Sequence, residues 1–338
     1  MVSEPKRHHY IPQFILKNFN DENSQIYYWD IANKELQKRN TRSVFMNMHM
    51  YRDDNNYPNQ PTIIESTLAD FECEISKIIN GKLLEDNQVV LKRNELEQLR
   101  IFLSLLSFRS NLRMEQYKDN KFDNFTRDVL KEFSEEDFES LWKKELLELA
   151  KARSYDEIRE NQNIDPIIKT DFLNDLEGMY MTLIDARGGD FIISDIYPTL
   201  EIFPIQPNVN IHLHCLYPLS PKRMLLLNHI MFKQEVDDKI LNKMISFSQI
   251  KGNMIIPPKN KYVLNGVTLP NDEYIYKVNK IYDVDVQYLT ALQLNEAKVG
   301  VVFRDPERVV DSVVAFNRRK DIKQSFPELE SELLNLIN

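Results

Sequence analysis

The stretch Ile101-Phe102-Leu103-Ser104-Leu105-Leu106-Ser107-Phe108 restricts the fold more than any other part of the chain. Leu96, Leu99, Phe102 with Leu103, and Leu106 recur three or four residues apart, with Leu112 further on, which predicts one long helix opened by Asn94. Its centre is apolar almost all round. Such a helix cannot lie on a surface, so it should be the central buried helix, with other elements packed on every side. The chain must supply those covering layers, and 338 residues are enough for a sizeable core.

The covering layers are legible on both sides of this helix. Residues 12–19 predict a short helix begun by Pro12, and Gln25 to Ile31 a strand. Asn33-Lys34 is a turn, and Thr41 to Tyr51 is a second extended stretch. These make a β-rich N-terminal layer over 1–60. A helical block over 61–187 follows. One helix runs from Thr62 to Gly81 on Ile64, Leu68, Phe71, Ile75 and Ile78, another from Ser134-Glu135-Glu136-Asp137 to about Ala152, and a third from Pro166 to Asp185. The character changes at Asp190. Phe191–Ser194, Val209–Tyr217, Arg223–Leu227 and 299–303 read as strands, and 235–251 and 272–297 as helices. After Pro306 the chain reads as a polar tail ending in a helix from Pro327. The expected class is α+β: a mostly helical core with a small mixed or antiparallel sheet, in one composite unit over 1–338.

Composition removes several function classes. No apolar run approaches a membrane span, and the N-terminus lacks an apolar signal core, so a cytoplasmic protein is expected. Cys73 and Cys215 are the only cysteines, too few for a disulfide framework or a cysteine zinc site. Seven glycines and the lack of GxGxxG, Walker and Gly-x-Ser-x-Gly patterns leave those nucleotide sites and that serine chemistry unsupported. A formal charge of −9 speaks against a dedicated nucleic-acid binder. The balance is uneven, however: residues 1–52 and 218–261 are locally basic.

Chemistry-bearing side chains concentrate in a few places. His8 and His9 are adjacent; on a strand they would face opposite ways. They lack the further histidine of a ββα-metal nuclease. Ser194-Asp195 ends an apolar strand, where a carboxylate can bind metal or simply cap the next turn. Glu65 and Glu72 share one helix face, Glu72 close to the apolar stripe and Glu65 toward solvent. Arg109 ends the central apolar run and needs a partner, either Glu72, Asp195 or a substrate phosphate. His212 and His214 alternate on a strand as a polar face or a metal pair.

Several of these stretches together resemble one bacterial family, called domain of unknown function 4238. His8, His9, Tyr10, Pro12, Phe14, Leu16 and Phe19 match its opening signature. Phe191, Ile192, Ser194 and Asp195 match a later segment, with Pro198 one place further on than is usual. Pro218-Leu219-Ser220-Pro221 and Asn295 match two more, and the helices carrying Glu72 and Arg109 look similar. The resemblance spans about 7 to 304 and implies no activity. It groups His8, His9, Glu72, Arg109, Ser194, Asp195 and Asn295 into a candidate shared pocket.

Two functions follow as expectations. The first is a metal-dependent hydrolase, a nuclease or phosphoesterase, with Mg²⁺ or Mn²⁺ held by His9 and Asp195 and a phosphate steadied by Arg109. A toxin or phage-defence setting would suit it by analogy. The second is a non-enzymatic sensor or interaction module, engaging a protein partner or a second copy, in which the same polar motifs are structural.

Overall fold

The long apolar segment forms a helix at the centre of the core. This computed structural model describes residues 6–85, 87–133, 137–206, 209–229, 259–260 and 273–338. The predicted helix over 235–251 lies outside them.

The N-terminal layer comprises β1 (Arg7–His9), α1 (Gln13–Lys17), β2 (Ile26–Asp30), β3 (Glu35–Arg39) and β4 (Met46–Met48). β2 turns back onto β3 at 35–39, a strand that precedes the extended stretch expected over 41–51. That stretch is broken by a short turn of helix, Thr41–Ser43, capped by the Asn40 side chain. Beyond it β4 pairs antiparallel with β1, His9 opposite Met46.

Next come α2 (Ile63–Ile78), β5 (Gln88–Lys92), α3 (Arg93–Phe108), α4 (Asn111–Lys118), α5 (Asn124–Phe133), α6 (Phe138–Lys151), α7 (Tyr155–Glu160) and α8 (Pro166–Glu177). α3 is the central helix, with seven apolar residues from Leu99 to Phe108 buried along it. Asn94 lies inside it rather than capping it. The cap comes from Glu95, whose carboxylate accepts the Lys92 N–H at 2.9 Å and is held by Lys82 at 2.6 Å. Such a first-turn acid also meets the positive end of the helix dipole.

The remaining elements are β6 (Met179–Ala186), β7 (Ile193–Ser194), β8 (Thr199–Gln206), β9 (Val209–Pro218), β10 (Arg223–His229), β11 (Lys259–Asn260), β12 (Glu273–Ile281), α9 (Asp283–Glu296), β13 (Gly300–Phe303), α10 (Pro306–Asn317) and α11 (Pro327–Ile337). The α+β class stands, but the sheet is larger than expected, because two stretches read as helix are strands. The helix from Pro166 stops at Gly178, and Met179–Ala186 is the strand at the middle of a seven-stranded sheet. Seven of its eight residues are buried. A strand covered on both faces is apolar throughout and matches a buried helix in pattern. The helix expected over 272–297 is instead β12 followed by α9. Tyr274, Val278 and Ile281 fall four and three apart, which imitated helical spacing.

The large sheet runs β11-β12-β6-β10-β9-β8, with β5 also on β12. Only the β12–β6 pair is parallel among those described. One face, with Leu183, Leu225, Leu227, Cys215 and Tyr217, packs into the same cluster as α2, α3 and α6. The Tyr217 hydroxyl donates to the Leu103 carbonyl at 3.0 Å, fixing sheet to central helix. The other face, with Ile184, Leu216, Met224 and Leu226, is covered by Val286 and Leu289 of α9. A second sheet, β3-β2-β13-β7, joins the N-terminal layer to the chain's far end. The segment after Pro306 is no polar tail: Val309, Val313, Phe316, Leu329 and Leu333 pack on Trp29 and Phe303.

Candidate functional site

Arg109 sits where the central helix ends, and it is almost fully buried at 1% exposure. A guanidinium there must be met by acceptors. Its Nη1 donates to Glu72 Oε1 at 2.6 Å, its Nη2 to the His9 carbonyl, and its Nε to the Tyr51 hydroxyl at 3.3 Å. That hydroxyl donates onward to the Arg109 carbonyl at 3.1 Å. One side chain therefore ties β1, the chain after β4, and α2 to the end of α3. Burial works against the charge on Arg109; Tyr51 and Glu72 more than offset it, and the net shift is upward.

The two histidines are set differently. His8 is fully buried, its Nδ1 accepts the Tyr51 N–H at 2.8 Å, and its ring stacks on Tyr51 at 5.5 Å. His9 has the Gln13 amide 3.1 Å from Nδ1. Burial lowers its pKa to about 4, backbone hydrogen bonding at Thr41 and Arg42 opposes this, and the charges of Arg109 and Arg7 add to the lowering. The ring is neutral at pH 7. Arg7 and Arg42 are both exposed.

Glu65 lies two turns before Glu72 on α2. It was expected to face solvent, yet its Oε2 is buried and without a partner. Burial raises its pKa to about 7, with Arg109 pulling it down and Glu72 pushing it up. The fork of Arg109 is already taken up by Glu72, the His9 carbonyl and the Tyr51 hydroxyl. Around one guanidinium there are thus a carboxylate in contact, a second carboxyl poised near neutrality, and an imidazole held neutral.

Ser194-Asp195 belongs to another arrangement. Asp195 Oδ1 accepts the N–H groups of Lys298, Val299 and Gly300 at 2.8, 3.0 and 3.2 Å. The Asp195 N–H returns a bond to the Gly300 carbonyl at 3.0 Å, extending the β7–β13 ladder. On its other side Gly300 lets β2 lie close: a Cβ there would lie 2.6 Å from both the Trp29 carbonyl oxygen and the Tyr28 hydroxyl. Burial raises the Asp195 pKa and the three amides oppose it. Its charge is felt by Tyr10 and Tyr28. Ser194 Oγ donates to the Ile196 carbonyl at 3.0 Å.

The sequence motifs thus separate into two groups. His9, Glu72 and Arg109 are brought together, with His8 attached through Tyr51. Asp195 locks the loop between α9 and β13, while Ser194 bonds within its own turn. Asn295 stands apart from both, accepting the Lys323 N–H at 2.8 Å. The Pro218–Pro221 segment is the β9–β10 turn, closed by Ser220 Oγ on the Arg223 N–H at 3.0 Å. It meets the Asp195 segment through Tyr197 to the Pro218 carbonyl and α1 through Asn18 to the Leu219 carbonyl. Of the second histidine pair, His214 is buried and 2.7 Å from Asn228 Oδ1.

The two side chains expected to hold a metal, His9 and Asp195, take their hydrogen bonds from different partners. The His9 ring lies against the Gln13 amide, and Asp195 uses one oxygen on three amides. Among the described residues no group of three or more His, Cys, Asp or Glu side chains is placed to hold a metal ion. Nor, among them, is any helix long and apolar enough to cross a membrane.

The sequence matches the family described as a protein of unknown function, DUF4238, over residues 7–307. The chain belongs to the DUF4238 family. Compared with curated proteins and with solved structures, it matches none. The span matched in DUF4238 runs from β1 to the start of α10, so it includes both polar groups, the Arg109 node and the Asp195 loop. Tyr51, Glu65 and Gln13 complete the Arg109 node but carry no motif that would mark them from sequence.

Proposed function

We propose that the chain is a hydrolase of phosphoester bonds in nucleic acid, working by acid–base chemistry with His9 and Glu65 as the proton-handling groups. What carries this reading is the placing of two ionisable side chains by Arg109: His9, buried and tied to it through its carbonyl, is held down to about 4, and Glu65, with a buried unpartnered oxygen, is pushed up to about 7. Pairs whose environments drive their pKa values apart are a mark of acid–base sites. Neutral His9 takes the proton from the attacking water or hydroxyl as its oxygen bonds to phosphorus. Glu65, partly protonated near pH 7, gives its proton to the leaving oxygen as the old P–O bond breaks. Arg109 is too enclosed to touch substrate and acts as a positioning residue for Glu72 and the His9 backbone. Exposed Arg7 and Arg42 give the His9 flank the positive charge a phosphate backbone requires. No step runs through a divalent ion.

The test is incubation of purified protein with RNA and DNA oligonucleotides, in EDTA and in Mg²⁺ or Mn²⁺. Cleavage that persists in EDTA is expected. It should fall about 10²-fold or more in His9→Ala and in Glu65→Gln, the usual range for losing a general acid or base. It should survive in Asp195→Asn. Absence of cleavage under every condition overturns the reading.

A second reading, a non-enzymatic sensor or interaction module, is favoured by the closure of the Arg109 and Asp195 contacts. It predicts no cleavage and no dependence of partner binding on Glu65.

A further inference from the structure

A second pair of carboxyl groups lies elsewhere in the helical block, and the function above makes no use of it. Glu145 projects from α6 and Asp165 caps α8; they are 2% and 5% exposed. Glu145 Oε1 accepts the backbone N–H of Asp165 at 2.8 Å, and the Asp165 carboxyl is near enough for its charge to act on Glu145. Asp165 Oδ1 accepts the N–H groups of Ile167 and Ile168 at 2.8 and 3.2 Å. The other oxygens, Glu145 Oε2 and Asp165 Oδ2, are buried with no partner.

Two buried carboxylates side by side cannot both stay ionised without a cation between them. Lys169, the basic group acting on Glu145, is already donating to the Asn161 carbonyl. Glu148 adds negative charge from the same helix, and from α4 the pair is faced by Tyr117, with Arg113 and Asp171 acting on that phenol. Asp165 Oδ1 already holds two amides at the start of α8. Glu145 receives a single amide. The proton therefore belongs on Glu145.

We propose that Glu145 and Asp165 share one proton, carried on Glu145 Oε2 and donated to Asp165 Oδ2, and that it latches α6 to the start of α8. The carboxyl–carboxylate bond pairs both orphaned oxygens at once, and it opens when the proton leaves.

The direction with pH follows. Burial, and to a lesser extent Asp165, raise the Glu145 pKa to about 8. A raised pKa means the folded chain binds the proton more tightly than the unfolded one. The stabilisation is complete below the ordinary glutamate range and is lost as pH rises through about 8. Glu145→Gln keeps the acceptor for the Asp165 N–H, replaces the proton by an amide N–H, and cannot ionise.

The melting temperatures of the full-length parent and Glu145→Gln, compared from pH 5 to 9, test this. The two should be close at pH 5, and the variant should lead by several degrees at pH 9. A gap that does not change with pH overturns the proposal. A carbon-13 titration of glutamate carboxyls in the parent does not depend on the variant folding. One glutamate should titrate near pH 8; no glutamate titrating above pH 7.5 overturns the latch.

Discussion

Asp195 and Glu65 are both carboxyls whose ionisation is opposed by burial, yet their surroundings answer that burial in different ways. Asp195 is met by three backbone N–H groups that arrive with the fold itself, from the loop leading into β13. Glu65 has for compensation only the charge of Arg109, whose short contact is with Glu72, and one of its oxygens has no partner. An acid satisfied by backbone donors is finished as a structural element. An acid left near neutrality by a side-chain network can still exchange its proton. The carboxylate that looked more catalytic in the sequence is therefore the better candidate for architecture, and the one that looked solvated is the better candidate for chemistry.

The largest effect should come from emptying the Asp195 position. Asp195→Ala leaves three N–H groups beneath the β2–β13 sheet without an acceptor, at about 1–3 kcal/mol for each that stays buried. Asp195→Asn keeps an oxygen for all three. Thermal melts should show a loss of many degrees for alanine and a small one for asparagine. An equal loss for both would mean that the negative charge, rather than the acceptor, is what the loop needs, and the contrast with Glu65 would collapse.

Arg109 should come next. Arg109→Met leaves Glu72 without its cation and frees the His9 carbonyl and the Tyr51 hydroxyl. Breaking a buried pair by removing one partner costs about 3–5 kcal/mol, and the partial exposure of Glu72 places this at the low end. Arg109→Lys should not rescue it, because one ammonium cannot span three acceptors held in a fork. Full rescue by lysine in a melt would reduce the node to a simple ion pair.

How much of this was readable beforehand depends on whether the cause was local. The central helix, the N-terminal strand β2 and the β9–β10 hairpin follow from periodicity and turn residues close in the chain. The middle strand β6 was missed because burial on both faces erases alternation, and β12 because Tyr274, Val278 and Ile281 mimic a helix. Arg109 advertised its need for a partner, since an arginine closing an apolar run has few options. Glu72 was among those foreseen. Nothing near Tyr51 or Glu65 in the sequence says that the first bonds Arg109 and the second feels its charge, since both are brought near it only by tertiary packing.

The pH dependence of stability should be smaller and should carry opposite signs at the two proton-handling groups. Glu65 has a raised pKa, so its contribution is whole at low pH and is lost as pH rises from the ordinary glutamate range through about 7. Glu65→Gln should flatten that loss. His9 has a depressed pKa, so its contribution is present above about 6.5 and is lost as pH falls through about 4. Below that the imidazolium is forced to form beside Arg109 and Arg7. His9→Asn removes the ionisable ring, and the parent's acid-side loss between pH 6.5 and 4 should shrink by a few degrees in melts. Asp195→Asn should leave this His9-dependent step in place, because its charge is not the one that sets His9. If Asp195→Asn erased the step as completely as His9→Asn does, the two polar groups would be electrostatically one, and the division between a chemical region and an architectural one would fail.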